Sequence, residues 1–277
     1  MILMPMYFYV FLFLLGSAVG SFLNVIICRL ETKEEIVGGR SHCLRCGQTL
    51  RWYDLIPLAS FFILRGRCRY CREKISWQYP LVELATGLLF VAVFKFADLP
   101  SFCFSGYWLL AIGYWLYIVC SLLIIFVYDL RHYVIPDKVV FPAMGAVLLF
   151  RAWNSGFFSD FGFRISDFTG LLNPLLSACG AAAFFALLIM ITRGRGMGWG
   201  DVKLAFLMGL FLGWPAIFLA LFSAFFSGSL AGLALIAAGR KKFSSQIPFG
   251  PFLVLGTVLS WLAGQGLADK LSSVFMI

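Results

Sequence analysis

Tyr107-Trp-Leu-Leu-Ala-Ile-Gly-Tyr-Trp-Leu-Tyr-Ile-Val-Cys-Ser-Leu-Leu-Ile-Ile-Phe-Val-Tyr128 carries no charge over its whole length and ends at Asp129. A helix of that length reaches about 33 Å at 1.5 Å per residue. The hydrocarbon core of a bilayer is about 30 Å thick. The stretch therefore reads as a transmembrane helix with a carboxylic acid at its C-terminal end. Working outward, the same pattern repeats along the 277 residues, of which 61% are hydrophobic and 13% charged, with a mean hydropathy of +0.92. A soluble domain is only about half apolar, so the chain uses lipid as part of its solvent. Spans are expected at 7–27, 81–96, 107–128, 139–150, 171–191, 202–213, 216–238 and 252–267. The fourth and sixth are short for full crossings. Arg29, rather than a small-residue cleavage site, follows the first span, which reads as a retained anchor.

Charge placement orients these spans. Threaded with an outside N-terminus, segments 29–80, 129–138, 192–203 and 239–251 hold eighteen of the 22 Lys and Arg residues. The other side holds only Lys95, Arg151, Arg164 and Lys270. Positive charge accumulates in cytoplasmic loops, so the first set is expected inside. The net charge of +9 is then a topology signal, and no basic motif interleaved with aromatics points to nucleic acid. The expected fold class is an all-α polytopic membrane protein of about eight transmembrane helices, with a small cytoplasmic zinc-binding loop domain between the first and second. The corresponding domains are 1–28, 29–80 and 81–277, the last being the membrane-embedded catalytic part.

The sizeable polar segment contains Cys43-Leu-Arg-Cys46 and Cys68-Arg-Tyr-Cys71. Each pair can hold one edge of a metal, and together they supply the tetrahedral thiolate set that zinc prefers. A loop this short and this rich in Gly and Arg lacks the apolar content for its own core and needs a staple. A cytoplasmic location disfavours disulfides. Four thiolates leave no coordination position for water, so zinc here is expected to be structural. The remaining cysteines, Cys28, Cys103, Cys120 and Cys179, sit singly in apolar runs and read as small soft hydrophobes.

Ionisable residues at membrane depth are expensive and are candidates for function. Asp129 lies at the unfavourable end of its helix dipole, a misplacement that asks for a reason. Asp201 follows Gly196-Met-Gly-Trp-Gly200 and opens an apolar helix. The glycines permit close backbone approach, yet an Asp there also serves as a simple helix cap, and both readings stand. Asp137, beside Pro136, reads as a first-turn structural acid. Two carboxylates in one site cannot both ionise cheaply, so one keeps a proton while its partner activates water. That is aspartyl-type chemistry, and no Ser-His arrangement competes with it. A transporter or channel with a zinc regulatory loop would instead place acids near mid-membrane, within paired repeats, and neither is present.

The chain resembles the bacterial type IV prepilin peptidases, the GxGD-type membrane aspartyl proteases that act as leader peptidase and N-methyltransferase. The resemblance rests on Gly20-Ser-Phe-Leu-Asn24-Val, both Cys pairs, Asp54-Leu-Ile-Pro57-Leu, Leu64-Arg-Gly-Arg67-Cys68, Tyr79-Pro-Leu-Val-Glu83, Asp129 with Ile135-Pro-Asp137, Gly198-Trp-Gly-Asp201-Val-Lys203 and Pro248-Phe-Gly-Pro251. It implies that Asp129 and Asp201 are the catalytic pair. The implied substrates are type IV prepilins and type II secretion pseudopilins, cut at the cytoplasmic face of the inner membrane ahead of their apolar helix. It further implies methylation of the new N-terminus with S-adenosylmethionine, with Glu83 and Asn24 as candidates to line the donor site, although no Rossmann-type glycine fingerprint is present. A methyltransferase that had lost its peptidase would be expected to lack one of the aspartates.

Overall fold

The computed structural model describes residues 6–32, 39–96, 106–154, 165–194, 197–239 and 247–275. Cys103, Arg164 and Gly196, which figure in the expectations above, lie outside them. Among the described residues the helices are α1 (Met6–Thr32), α2 (Ala59–Ile63), α3 (Gln78–Phe96), α4 (Gly106–His132), α5 (Asp137–Asn154), α6 (Ile165–Thr192), α7 (Trp199–Leu212), α8 (Ala216–Ala237) and α9 (Gly250–Phe275). The all-α expectation holds, with α2 a single turn inside the polar loop. Five helices, α1, α3, α4, α6 and α8, are long and apolar enough to cross a membrane by length and composition. The fourth expected span, 139–150, lengthens into α5 because Pro136 starts the helix earlier: its carbonyl accepts the N–H groups of Val139 and Val140. The sixth stays short. At 14 residues, α7 rises only about 21 Å.

The chain divides into two compact units, Met1–Ile124 and Ile125–Ile277. In the first, α1 packs along α3 through small residues that let the backbones meet, the packing mode of helices in lipid. A Cβ added at Gly20 would lie 2.8 Å from Glu83 Cα, and one at Gly16 would lie 2.9 Å from Gly87 Cα.

In the second unit α7 is the central element, packed against α5, α6, α8 and α9. A helix that is apolar all round belongs inside, and Leu204, Ala205, Leu207, Met208, Leu210 and Phe211 are all buried. Surrounded by protein, α7 has no lipid thickness to match, which accounts for its length. Its C-terminal end is closed by Arg151, whose guanidinium donates to Phe211 O at 2.6 Å, a cation at the favourable pole of the helix dipole. Asn173 then holds the following turn, accepting from Trp214 N at 2.8 Å and donating to Trp214 O at 3.2 Å. Ser260 of α9 donates to Ala216 O of α8 at 2.7 Å.

Gly209 is one of the tight approaches in this unit: a Cβ there would fall 2.4 Å from Ala178 Cα. Backbone cannot retreat as a flexible side chain can. Gly209→Ala is expected to lower the unfolding midpoint by the equivalent of about 1–3 kcal/mol. Gly180→Ala, with nothing within 4 Å of its Cβ, is expected to leave it unchanged. Thermal or detergent-driven unfolding of the two variants separates these outcomes.

Candidate active site

Asp129 sits in the last turn of α4, and the chain leaves that helix through Tyr133, a non-glycine residue at φ +57°. The Tyr133 N–H caps the Asp129 carbonyl at 2.9 Å. This left-handed step turns the chain from α4 into Val134-Ile135-Pro136 and then α5. Ile135 and Pro136 are buried while Val134 stays exposed. Asp129 itself is only 4% exposed.

Asp201 lies in the first turn of α7 and is 9% exposed. Its Oδ2 accepts the Gly198 N–H at 3.3 Å, so the capping role read from the sequence is real. It engages one oxygen and does not exclude a second role. Among the described residues only the Gly200 N, at 3.9 Å, comes near the place of a missing Cβ on Gly198, so no described side chain covers its backbone.

These two helix ends, remote in the chain, meet through a third element. A Cβ on Gly250, the first residue of α9, would lie 2.6 Å from Asp129 Oδ2 and 3.4 Å from Ile135 Cδ1. The start of α9 therefore packs directly against the Asp129 carboxyl. Ile135 also fills the space beside Gly200, whose Cβ would stand 3.2 Å from Ile135 Cβ. Ile135 is thus the spacer between the α7 and α9 starts, which puts Asp129 and Asp201 on elements that share one neighbour. The Asp201 carboxyl accepts a backbone N–H at the start of α7 and the Asp129 carboxyl packs against the start of α9, in a buried setting that magnifies charge effects. Sequence reasoning placed the two acids but missed Ile135 and Gly250 as the residues that join them. Both stood within quoted motifs, yet neither carries a chemical group that would mark it.

Asp137 opens α5, as expected for a first-turn acid, and in addition accepts from Lys203 Nζ at 2.7 Å. Lys203, two residues beyond Asp201, also lies over the Phe141 ring at 5.4 Å. This pair clips the start of α5 to the start of α7.

In the polar loop, Cys43, Cys46, Cys68 and Cys71 bring their sulfurs within 4.8 Å of one another. Tetrahedral thiolates at about 2.3 Å from a zinc ion would be about 3.8 Å apart, and Cys43 Sγ and Cys71 Sγ are separated by 3.8 Å. The two knuckles repeat each other bond for bond. Cys43 N donates to Gln48 O and Gly47 N to Cys43 O, while Cys68 N donates to Glu73 O and Arg72 N to Cys68 O. Gly47 at φ +70° is matched by Arg72 at φ +59°, so the second turn forms without the glycine that normally relieves it. The Cys46 N–H draws the Cys43 thiol down from its usual 9.0 to about 7. Asp54 ties the second knuckle down through Arg69 Nε at 2.7 Å.

Comparison with known proteins bears on both parts. The family model described as Bacterial Peptidase A24 N-terminal domain matches residues 14–96, and the one described as Type IV leader peptidase family matches 116–233. A Burkholderia pseudomallei (strain 1026b) protein named prepilin leader peptidase/N-methyltransferase is 32% identical, over 89% of this chain and 82% of its own length. The chain belongs to the type IV leader peptidase family. Relatives of the same name from Bacillus subtilis (strain 168) and Pseudomonas aeruginosa are each 30% identical, over 92% and 94% of this chain and 94% and 92% of their own lengths. No solved structure matches. The leader peptidase match spans Asp129 and Asp201 and stops short of Gly250; the N-terminal match contains the four cysteines, Asn24 and Glu83.

In this leader peptidase family member, Asn24 and Glu83 lie on the α1–α3 seam, buried and committed to protein partners. Asn24 Nδ2 donates to Tyr79 O at 3.2 Å and Gly20 O at 3.3 Å, and its Oδ1 accepts from Gln78 Nε2 at 3.2 Å. Glu83 Oε2 accepts the Leu58 N–H at 2.7 Å. Leu58 is at φ +60°, ψ −52°, with Ala59 N donating to Pro57 O at 2.6 Å, a γ-turn of the strained hand. Glu83 thereby pins the polar loop to α3. These hydrogen bonds account for the burial of both residues by contacts within the protein.

Cys46→Ser is expected to cost the purified protein most of its bound metal, measured by elemental analysis. Cys179→Ser, at an exposed thiol outside the cluster, is expected to change nothing.

Proposed function

We propose that the chain is a membrane aspartyl endopeptidase that removes the basic leader from type IV prepilins and type II secretion pseudopilins at the cytoplasmic membrane face, and then methylates the new N-terminus. The observation that supports this reading is the burial of Asp129 and Asp201 on helix ends that Ile135 and Gly250 join, with Gly198 beside Asp201.

The chemistry follows from that arrangement. The residues ahead of the prepilin helix lie extended along the Gly198 face. One carboxylate takes a proton from water as its oxygen attacks the scissile carbonyl; the partner, protonated, gives its proton to the departing amine, and the C–N bond breaks. Placing both acids at helix ends lets water reach them without a channel through the bilayer. The Gly198 N–H and the close packing of Gly250 hold the two carboxyls in place, the preorganisation that makes charge stabilisation effective in a buried site.

The four cysteines hold a zinc ion with a structural role, since a closed thiolate sphere has no position for water. S-adenosylmethionine, when bound, supplies the methyl group that the new α-amine accepts. Glu83 and Asn24 remain the candidates to line its site, where they would shape the protein around the donor through the hydrogen bonds they already make. The eighteen-to-four bias of Lys and Arg supports a cytoplasmic loop domain and an inner-membrane location.

Incubating the purified protein with a prepilin, with and without the methyl donor, and scoring products by mass tests the proposal. Leader removal is expected in both reactions and a single methyl addition only with the donor. Methylation of pre-cleaved substrate without any cleavage would sink the peptidase half.

A further inference from the structure

Among the described residues, three cations of the polar loop have no acid paired with them. Arg65, Arg67 and Lys74 line a pocket of about 470 Å³, together with Phe61, Phe62 and Trp77. Neighbouring charges are spoken for: Glu73 pairs with Arg45 and Asp54 with Arg69. No described carboxylate lies on the pocket or pairs with its three cations.

The placement of two of them sets like charges against each other. Arg67 and Lys74 face each other as an antiparallel bridge pair, and like charges directly opposite one another across such a pair repel. The equivalent bridge of the first knuckle joins His42 and Thr49, so the knuckle fold does not demand two cations there. The turn that carries them is unusual as well. Arg65 adopts φ +51° beside Gly66 at φ +65°, and Gly66 packs against the Phe61 ring, a Cβ there being 3.1 Å from Phe61 Cζ.

The apolar half of the pocket states where it lies. Phe61 is buried and tilts against Trp77 at 5.0 Å between ring centroids. Trp77 immediately precedes α3, one of the membrane-crossing helices, and Phe62, Ile63 and Trp77 are exposed. Tryptophan and flanking apolar residues at the mouth of a membrane helix sit at headgroup depth. An anion reached by cations at that depth, with an aromatic floor beneath it, is a lipid phosphate.

We infer that this pocket binds the phosphodiester headgroup of an anionic phospholipid, with Arg67 and Lys74 gripping the phosphate oxygens, Arg65 closing the rim and Trp77 bordering the upper acyl chain. The bound anion cancels the Arg67–Lys74 repulsion and so stiffens the second knuckle where it joins α3. This inference is independent of the peptidase reading.

The test uses full-length protein stripped of lipid in neutral detergent and titrated with phosphatidylglycerol or phosphatidylcholine, with bound lipid counted by native mass spectrometry. Wild type is expected to retain one phosphatidylglycerol with a preference of roughly tenfold or more over phosphatidylcholine, since each cation near an anionic surface contributes appreciably. The Arg67→Gln/Lys74→Gln variant is expected to lose that preference. An Arg40→Gln/Arg72→Gln variant, which removes the same charge outside the pocket, is expected to keep it. Without lipid, the Arg67→Gln/Lys74→Gln protein should unfold no earlier than wild type, because repulsion has been removed; with phosphatidylglycerol only wild type and the Arg40→Gln/Arg72→Gln protein should gain stability. Equal loss of preference in both variants would overturn the inference, as a diffuse surface field would then suffice. So would displacement of the lipid by millimolar inorganic phosphate, which would make the occupant a soluble anion. Competition by S-adenosylmethionine would overturn it too, by assigning the pocket to that molecule's carboxylate.

Discussion

Leader removal is expected to fall by at least about a hundredfold, and toward ten-thousandfold, in Asp129→Asn and in Asp201→Asn alike, the range over which a positioned acid or base contributes. Asparagine keeps the shape of aspartate and cannot ionise, so the α7 cap at Gly198 and the approach of Gly250 to residue 129 survive. What is lost is the ionisable group that the proposed mechanism requires at that position. The double variant is expected to be no worse than either single one, because residues acting as a unit are strongly non-additive. Asp137→Asn is the control: its carboxylate is 54% exposed and paired with Lys203, an interaction worth at most about 1 kcal/mol. Retained cleavage in either catalytic variant, or a loss in Asp137→Asn as large as theirs, would refute the assignment. Quantitative cleavage of a prepilin, with circular dichroism to show intact helices, decides it.

Gly250→Ala is expected to be the most damaging change that alters no functional group. Its new methyl would stand 2.6 Å from Asp129 Oδ2 and 3.1 Å from Asp129 Cγ, far inside contact distance. Either the carboxyl swings away or the start of α9 withdraws, and in both cases the two acids part. A displacement of about 1 Å in a catalytic group costs on the order of a hundredfold in rate, while overpacking costs about 1–3 kcal/mol in stability. The loss is expected in kcat more than in KM, since the extended substrate lies along Gly198 on a different element. Gly145→Ala in α5 has nothing within 4 Å of its Cβ and is expected to leave the rate unchanged. If Gly250→Ala cleaved prepilin at the wild-type rate, α9 would not be what holds Asp129.

Much of this was legible in the sequence because it depends on local properties. Apolar run length follows directly from bilayer thickness, which is why the spans at Tyr7, Tyr107 and Ala216 appear as α1, α4 and α8. Two Cys pairs announce a chelating loop because a knuckle is built from consecutive residues. The acids stood out because a charge beside lipid is costly wherever the chain goes afterwards. Less legible were the short helices: α7 looked too brief for a crossing because the sequence could not say that protein, rather than lipid, would surround it. The role of Asn24 and Glu83 was also hidden, since a buried polar residue reads the same whether it waits for a ligand or holds Leu58 in a strained turn.

By itself the sequence determined that this chain lives in a membrane, carries a four-thiolate loop and ends two of its helices in acids, since each follows from composition or from spacing within one segment. The tertiary structure alone decided that Gly250 meets Asp129, that Ile135 separates the starts of α7 and α9, that Arg151 closes α7, and that Arg67 faces Lys74. Those contacts join residues on separate elements, and only packing, which selects one arrangement of helices and turns among many compatible with the same hydrophobic runs, brings them within reach.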